Sequence, residues 1–155
     1  MIALERTART EGPVDAVVEF LADFAHAELW DSGTVSCTRI DPGPITVGTR
    51  WRNVSRFRGK ETELTYTLVR REPARLTFTG ENKTVRSSDD LVFVEEDGGT
   101  RIHYRARFAF TGLAMLAEPF LKGALNSLAD DTIAQLGTVL DQRWPRPLER
   151  PGATA

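Results

Sequence analysis

The chain has 155 residues, 41% of them hydrophobic and 27% charged, which excludes both a disordered segment and a membrane-embedded one and leaves an ordinary globular chain able to bury roughly two thirds of its unfolded surface. Twenty Lys and Arg stand against 22 Asp and Glu, a formal charge of -2, so no net field draws the molecule to nucleic acid or acidic lipid, and any such contact has to be local. One cysteine, Cys37, and two histidines, His26 and His103, exclude an internal disulfide and a Cys/His metal centre. No spaced Asp loop suggests a hard-cation site, and neither a metal nor another cofactor is expected.

Met1 to Gly12 has neither the positive leader nor the apolar stretch of a secretory signal, and no later segment reads as a bilayer span. The expectation is a cytoplasmic protein without integral membrane association. Ile2 to Arg9 alternates Ile2, Leu4 and Ala8 against charged or hydroxyl neighbours, which predicts a short strand whose apolar face Arg6 interrupts. Gly12-Pro13 closes it and opens a helix, because Pro at the first helical position forfeits no hydrogen bond and Asp15 complements the dipole. Val14, Val17, Val18, Leu21 and Phe24 form its apolar stripe; helical character continues in pieces to Trp30, and Asp31-Ser32-Gly33 is a turn.

From Thr34 to Phe110 runs rich in Thr, Val, Phe, Tyr and Arg alternate with turn signals such as Asp41-Pro42-Gly43-Pro44, Arg58-Gly59-Lys60 and Asp97-Gly98-Gly99. Six strands fit, at about 34–41, 48–57, 61–71, 75–80, 84–95 and 100–111, and the short links make neighbours antiparallel. Parity turns Leu64, Tyr66 and Leu68 inward, with Leu76 and Phe78, and with Ile102, Tyr104, Ala106, Phe108 and Phe110. Leu91 and Phe93 inward would carry Ser87 and Asp89 with them, whereas Val92 and Val94 favour the opposite parity almost as well. Asn53 and Ser55 share the parity of Trp51, and their face stays open. After Thr111-Gly112 the period is helical again, with Leu113 and Leu116 before Pro119 and then Leu121, Leu125, Leu128, Ile133, Leu136 and Leu140 on one broad face. Pro119 marks a kink or a fresh start, and Pro145 and Pro147 end the helix. The division that follows is one domain at 1–144 and a flexible tail at 145–155.

Several short motifs recur in this order: Pro13 with Phe20-Leu21-Ala22-Asp23, Trp30-Asp31, Gly48-Thr49-Arg50-Trp51, Glu72-Pro73, Gly99-Thr100-Arg101, and Thr111-Gly112-Leu113 with Glu118-Pro119. With the element order, they make the chain resemble the START-like or Bet v 1-like (SRPBCC) superfamily, specifically its polyketide cyclase/dehydrase-like branch. The resemblance covers nearly the whole chain, but these are turn and packing residues and name no substrate. It implies an α+β helix-grip fold, in which a seven-stranded curved antiparallel sheet wraps a long C-terminal helix and two short helices follow the first strand. It also implies a cavity between sheet and final helix for a small hydrophobic molecule. An empty apolar void of roughly 300 Å³ would cost about 7 kcal/mol, comparable with a domain's stability, so such a space is filled or closed.

Within that frame Trp51, Asn53, Tyr66, Phe78, Phe93, Tyr104, Phe108, Leu121 and Leu125 are the expected ligand-binding residues. Tyr66 and Tyr104 offer a phenol tip in an apolar wall, the ordinary alternative being core tyrosines whose hydroxyls meet backbone. With Asp89 they are the catalytic candidates: an inward Asp89 would have a pKa raised towards neutrality, while a solvated sheet charge or an ion pair is the favoured reading for a lone carboxylate. Asp130-Asp131 point about 100° apart on a helix and read as a wet face. His103 faces outward with Arg101, Arg105 and Arg107, a row that cross-strand carboxylates such as Asp90, Glu95 and Glu96 can neutralise. His26 suits a helix end, and Cys37 is a small half-buried packing residue. Serine-hydrolase, P-loop and dinucleotide signatures are absent. The leading expectation is ligand binding; the alternatives are a polyketide cyclase or aromatase acting by positioning and proton transfer, and a regulatory toxin of a toxin–antitoxin pair. Monomer and homodimer both stay open, and no nucleic-acid partner is expected.

Overall fold

A computed structural model describes residues 1–148 of the chain. Strand β1 (Ile2–Thr10) leads into α1 (Val14–Ala22), a 3-10 turn (Phe24–His26) and the short α2 (Ala27–Trp30). A meander of six strands follows: β2 (Thr34–Arg39), β3 (Arg50–Phe57), β4 (Lys60–Glu72), β5 (Arg75–Glu81), β6 (Val85–Glu96) and β7 (Gly99–Phe110). A second 3-10 segment (Gly112–Ala117) precedes α3 (Glu118–Arg143), the longest element. The strand order is β1-β7-β6-β5-β4-β3-β2, antiparallel throughout, so β1 closes one edge beside the last strand. This is the helix-grip fold, with α3 lying on the inner face of the sheet and packing on β1 and α2.

Each boundary has a local cause. Pro13 sits immediately ahead of α1 with no donor to lose, and Asp23 ends that helix while its side chain accepts from the Ala25 N–H at 3.0 Å, capping the 3-10 turn. His26 Nδ1 donates to the Phe20 carbonyl at 2.6 Å, serving an otherwise free acceptor in the last turn of α1. Pro119 stands in the first turn of α3, so it marks a fresh start and leaves the helix unkinked. Arg6 is inward on β1 because β1 is an edge strand facing α3: its guanidinium donates to Asp130 at 2.8 Å and to the Asn126 side chain at 3.2 Å. Asp130 and Asp131 are otherwise exposed.

Two expectations change. Leu113 and Leu116 do not join the apolar face of the final helix; they lie on the 3-10 segment that crosses the surface before α3 begins, 86% and 73% exposed. Cys37 is fully buried and not half-buried, with its N–H donating to Glu28 at 2.7 Å. Residues 145–148 follow α3 without regular structure, and the remainder of the expected tail lies outside the described residues.

Candidate functional site

The interior between sheet and α3 has two halves. In the upper half α1, the 3-10 turn and α2 lie across the sheet, and Phe24 projects from the turn into its centre. Its ring lies 4.3 Å from that of Tyr66 and 4.7 Å from that of Phe78, with Trp51 and Trp30 at 6.2 and 6.0 Å, centroid to centroid. Trp51, Phe78, Leu68, Leu76, Leu91 and Ile102 are buried around it. Offset and edge-on aromatic packing of this kind leaves no room for a ligand. Trp51 is further fixed by its indole N–H, which donates to Asp23 at 3.1 Å.

The lower half is hollow. A partly open cavity of about 160 Å³ lies between β3, β4, β6 and β7 on one side and the first turns of α3 on the other. Leu64, Tyr66, Val85, Phe108 and Phe110 form its sheet wall, Leu121, Leu125 and Leu128 its helix wall, and Ser55, Thr62 and Ser87 its polar spots. The Tyr66 ring stands at the boundary of the two halves. Its place depends on Gly80 across the β4–β5 ladder: a β-carbon there would come within 2.5 Å of the ring. Tyr66 and Ser87 hydroxyls are hydrogen-bonded at 3.1 Å, and Ser87 also reaches the Gly80 carbonyl at 3.3 Å. Burial, helped by the nearby Asp89 charge, raises the Tyr66 phenol well above its ordinary pKa, so it remains a protonated hydrogen-bonding group.

Of the residues expected to touch a ligand, Tyr66, Phe108, Leu121 and Leu125 line this cavity. Trp51, Asn53, Phe78 and Phe93 are inward but belong to the packed interior, with 3% exposure or less. Asn53 is held there by donating its amide to Thr34 Oγ1 at 3.0 Å. Tyr104 is inward as expected but stands apart from the cavity, against Trp30. Neither tyrosine hydroxyl meets backbone: Tyr66 meets Ser87, and Tyr104 donates to Asp89.

Asp89 overturns the expectation of a solvated charge. It is inward, 6% exposed and hydrogen-bonded to Tyr104. Burial pushes its carboxyl up to about 7, with Asp31 adding to the rise and the Tyr104 hydrogen bond opposing it. Asp31, read from sequence as part of a turn and of the Trp30-Asp31 motif, is a second carboxylate of this region. It accepts from Gly33 N–H at 3.0 Å, Thr34 at 3.0 Å and Thr132 at 3.3 Å, and burial raises its pKa as well. The Trp30 indole N–H is buried without a hydrogen-bond partner among the described residues. Burial drives the Cys37 thiol up to about 12, which removes it as a nucleophile.

A wider groove of about 730 Å³ lies on the outer face of the sheet, along Glu5, Arg75, Asp90, His103 and Arg105. Its charges already satisfy one another, Arg75 with Asp90 at 2.9 Å and Arg105 with Glu5 at 2.8 Å. Arg101 pairs with Glu96 on the same face. Of the outward row, Arg101 and Arg105 are thus paired with carboxylates on neighbouring strands, Glu96 and Glu5, while Asp90 takes its arginine from β5 and neither His103 nor Arg107 joins an ion pair among the described residues. The inner cavity, apolar with a few hydroxyls, is the better ligand site. Among the described residues no group of three or more His, Cys, Asp or Glu is placed to hold a metal, and no helix is long and apolar enough to cross a membrane.

Comparison with known proteins agrees with this geometry. The family described as polyketide cyclase/dehydrase and lipid transport matches residues 1–141. No curated protein matches the chain. Among solved structures, a START superfamily protein from Mycobacterium smegmatis superposes with a TM-score of 0.74 at 10% identity, over 91% of this chain and 98% of that one. The Zhui aromatase/cyclase from Streptomyces sp. R1128 gives 0.71 at 15% identity, over 91% and 92%. The di-domain ARO/CYC BexL of the BE-7585A biosynthetic pathway gives 0.67 at 17% identity over 94% of this chain, which spans 51% of that protein. At these identities the likeness is one of fold.

Proposed function

We propose that the chain, which belongs to the polyketide cyclase/dehydrase and lipid-transport family, binds a small, mostly apolar molecule carrying one hydroxyl or carbonyl group in the cavity under α3. The observation that carries this reading is the make-up of that cavity: leucines on the helix side and leucine, valine and phenylalanine on the sheet side, with the Tyr66–Ser87 hydroxyl pair at one end. Apolar walls supply the binding free energy and the hydroxyl pair orients the ligand, since a polar group entering without a partner would lose about 1–3 kcal/mol. The volume, about 160 Å³, suits one or two fused rings or a short chain; the Phe24 cluster excludes anything that must reach the upper half.

The test is calorimetric titration with 2-naphthol, whose two rings and single hydroxyl match the cavity. Binding to the native chain, lost when Leu125→Trp fills the space, is the expected result. Equal affinity in the two proteins would remove the cavity from consideration.

A second reading, cyclisation or dehydration of a reactive polyketide-like substrate by positioning and proton transfer, is favoured by Asp89, whose carboxyl at about 7 is poised for acid–base work. Asp89 and Tyr104 do not border the cavity, and no hydrogen bond among the described residues joins them to the Tyr66–Ser87 pair, so this reading needs a substrate that reaches the Asp89 carboxyl itself. Turnover of a model poly-β-ketone that survives Asp89→Asn unchanged would dismiss it; loss of turnover with retained 2-naphthol binding would favour it over simple binding.

A further inference from the structure

The balance of charge over the whole chain hides an uneven distribution. The 3-10 segment Gly112–Ala117 and the first turn of α3 leave Leu113, Met115, Leu116 and Phe120 exposed by 86%, 58%, 73% and 79%. Four large apolar side chains within eight residues form a patch, whereas single exposed leucines need no explanation. The patch adjoins the cavity, since Leu121, next in sequence to Phe120, lies in the cavity wall.

Two turns share this end of the molecule. Thr111 holds the β5–β6 turn, its hydroxyl donating to the Lys83 carbonyl and its N–H to the Thr84 carbonyl, both at 2.9 Å. Phe57 packs in the same cluster as Phe108, Phe110 and Leu121, which brings the β3–β4 tip of Arg58, Gly59 and Lys60 alongside. Arg58, Lys60, Lys83 and Lys122 are all exposed. None of the four joins an ion pair among the described residues, while the neighbouring Arg52 and Arg56 are matched by Glu63 and Glu61. Unpaired cations and uncovered apolar side chains therefore coincide at one end of a chain whose net charge is negative.

We propose that this end docks reversibly on the surface of an anionic lipid bilayer, with Leu113, Leu116 and Phe120 entering the acyl boundary and Arg58, Lys60, Lys83 and Lys122 lying among the headgroups. Apolar insertion flanked by basic residues is the chemistry of interfacial attachment, and a patch this small gives weak binding that a few cations reinforce. Self-association through the same patch would bring two positive rims together, which disfavours a second copy as the occupant. Among the described residues no helix is long and apolar enough to cross a membrane, and a patch of a few side chains suits attachment at the interface. The inference concerns the rim and not the contents of the cavity, and it is tested without ligand.

The experiment is sedimentation of the full chain with vesicles of phosphatidylcholine alone and of phosphatidylcholine mixed with phosphatidylglycerol. Binding to the mixed vesicles that weakens with added salt is expected. Each of Lys60→Gln and Lys83→Gln should lower affinity about fivefold, and Leu116→Ser with Phe120→Ser about tenfold or more. As a readout of insertion, Phe120→Trp should shift its emission to the blue on adding mixed vesicles only. Absence of binding by the native chain, indifference to both sets of substitutions, or a dimer in light scattering that Phe120→Ser dissolves would each overturn the proposal.

Discussion

Substituting Asp89 by Asn isolates one buried titration. The carboxyl moves from 3.8 to about 7 on folding, chiefly through burial. A group with a raised folded pKa binds more protons in the native than in the unfolded chain between these two values, so stability declines as pH rises through that window and stays low above it. Ionising it fully costs on the order of 4 kcal/mol, of which about 2.5 kcal/mol falls between roughly pH 5 and pH 8. Asn keeps the shape and still accepts from Tyr104 but has nothing to ionise. Urea unfolding of the native chain should therefore lose about 2.5 kcal/mol from pH 5 to pH 8, a Tm decrease of about 5–10 °C. The Asn variant should lose much less, retaining only the contribution of Asp31, whose raised pKa acts in the same direction. Asp41, Glu63, Asp90 and Glu96 have lowered pKa values, so the stability they lend disappears only as pH falls below the ordinary carboxylate range, outside this window. Parallel pH profiles for the two proteins between pH 5 and pH 8 would refute the assignment of Asp89 as a buried, ionisable group.

Phe24→Ala should destabilise by about 3–5 kcal/mol, since the ring touches Tyr66, Phe78 and both neighbouring tryptophans, and it should join the cavity to the upper half; calorimetry with an anthracene-sized phenol, excluded by the native chain and admitted by the variant, reads the second effect. Gly80→Ala should cost about 1–3 kcal/mol and displace the Tyr66 ring from the cavity wall, because a β-carbon at Gly80 lies 2.5 Å from it; thermal melting and the near-ultraviolet dichroism of tyrosine report both. Tyr66→Phe should cost only about 1 kcal/mol, as Ser87 retains the Gly80 carbonyl, yet weaken 2-naphthol binding about fivefold in titration.

The sheet was legible because its faces are written in period two. Leu64, Tyr66 and Leu68 on β4 and Leu76 and Phe78 on β5 lie where alternation puts them, and Gly/Pro/Asp punctuation located the turns to within about two residues. On β6 the alternation was ambiguous, because Leu91 and Phe93 compete with Val92 and Val94. Cross-strand register decides it: Leu91 opposes inward Leu76 and Tyr104, and Asp89 follows by strict parity despite its charge. Local pattern carries no term for that, and the preference for solvated carboxylates pointed the other way. Asp31 escaped notice for a related reason. An Asp-Ser-Gly turn is usually exposed, and here Thr132, about a hundred residues later in sequence, reaches Asp31 to complete the hydrogen bonds that Gly33 and Thr34 make to it. Leu113 and Leu116 have the spacing of a buried helix face, but Pro119 starts the helix after them.

Phe24 and the buried acid Asp89 both lie outside the cavity that carries the ligand reading. Phe24 belongs to a stripe that sequence assigns to α1, but Asp23 ends that helix and caps the 3-10 turn instead, so the ring is turned into the middle of the interior. There it fills the upper half against Trp51 and Phe78, apart from the cavity that Tyr66 and Ser87 face, while Asp89 is buried beside the half-buried Tyr104. Burial lifts Asp89 to about 7, and the space left under α3 is about 160 Å³. Chemistry at Asp89 consequently requires a substrate that reaches the carboxyl, and any opening of the interior that admitted water beside it would lower its pKa towards the ordinary carboxylate value, because burial is the chief cause of the rise.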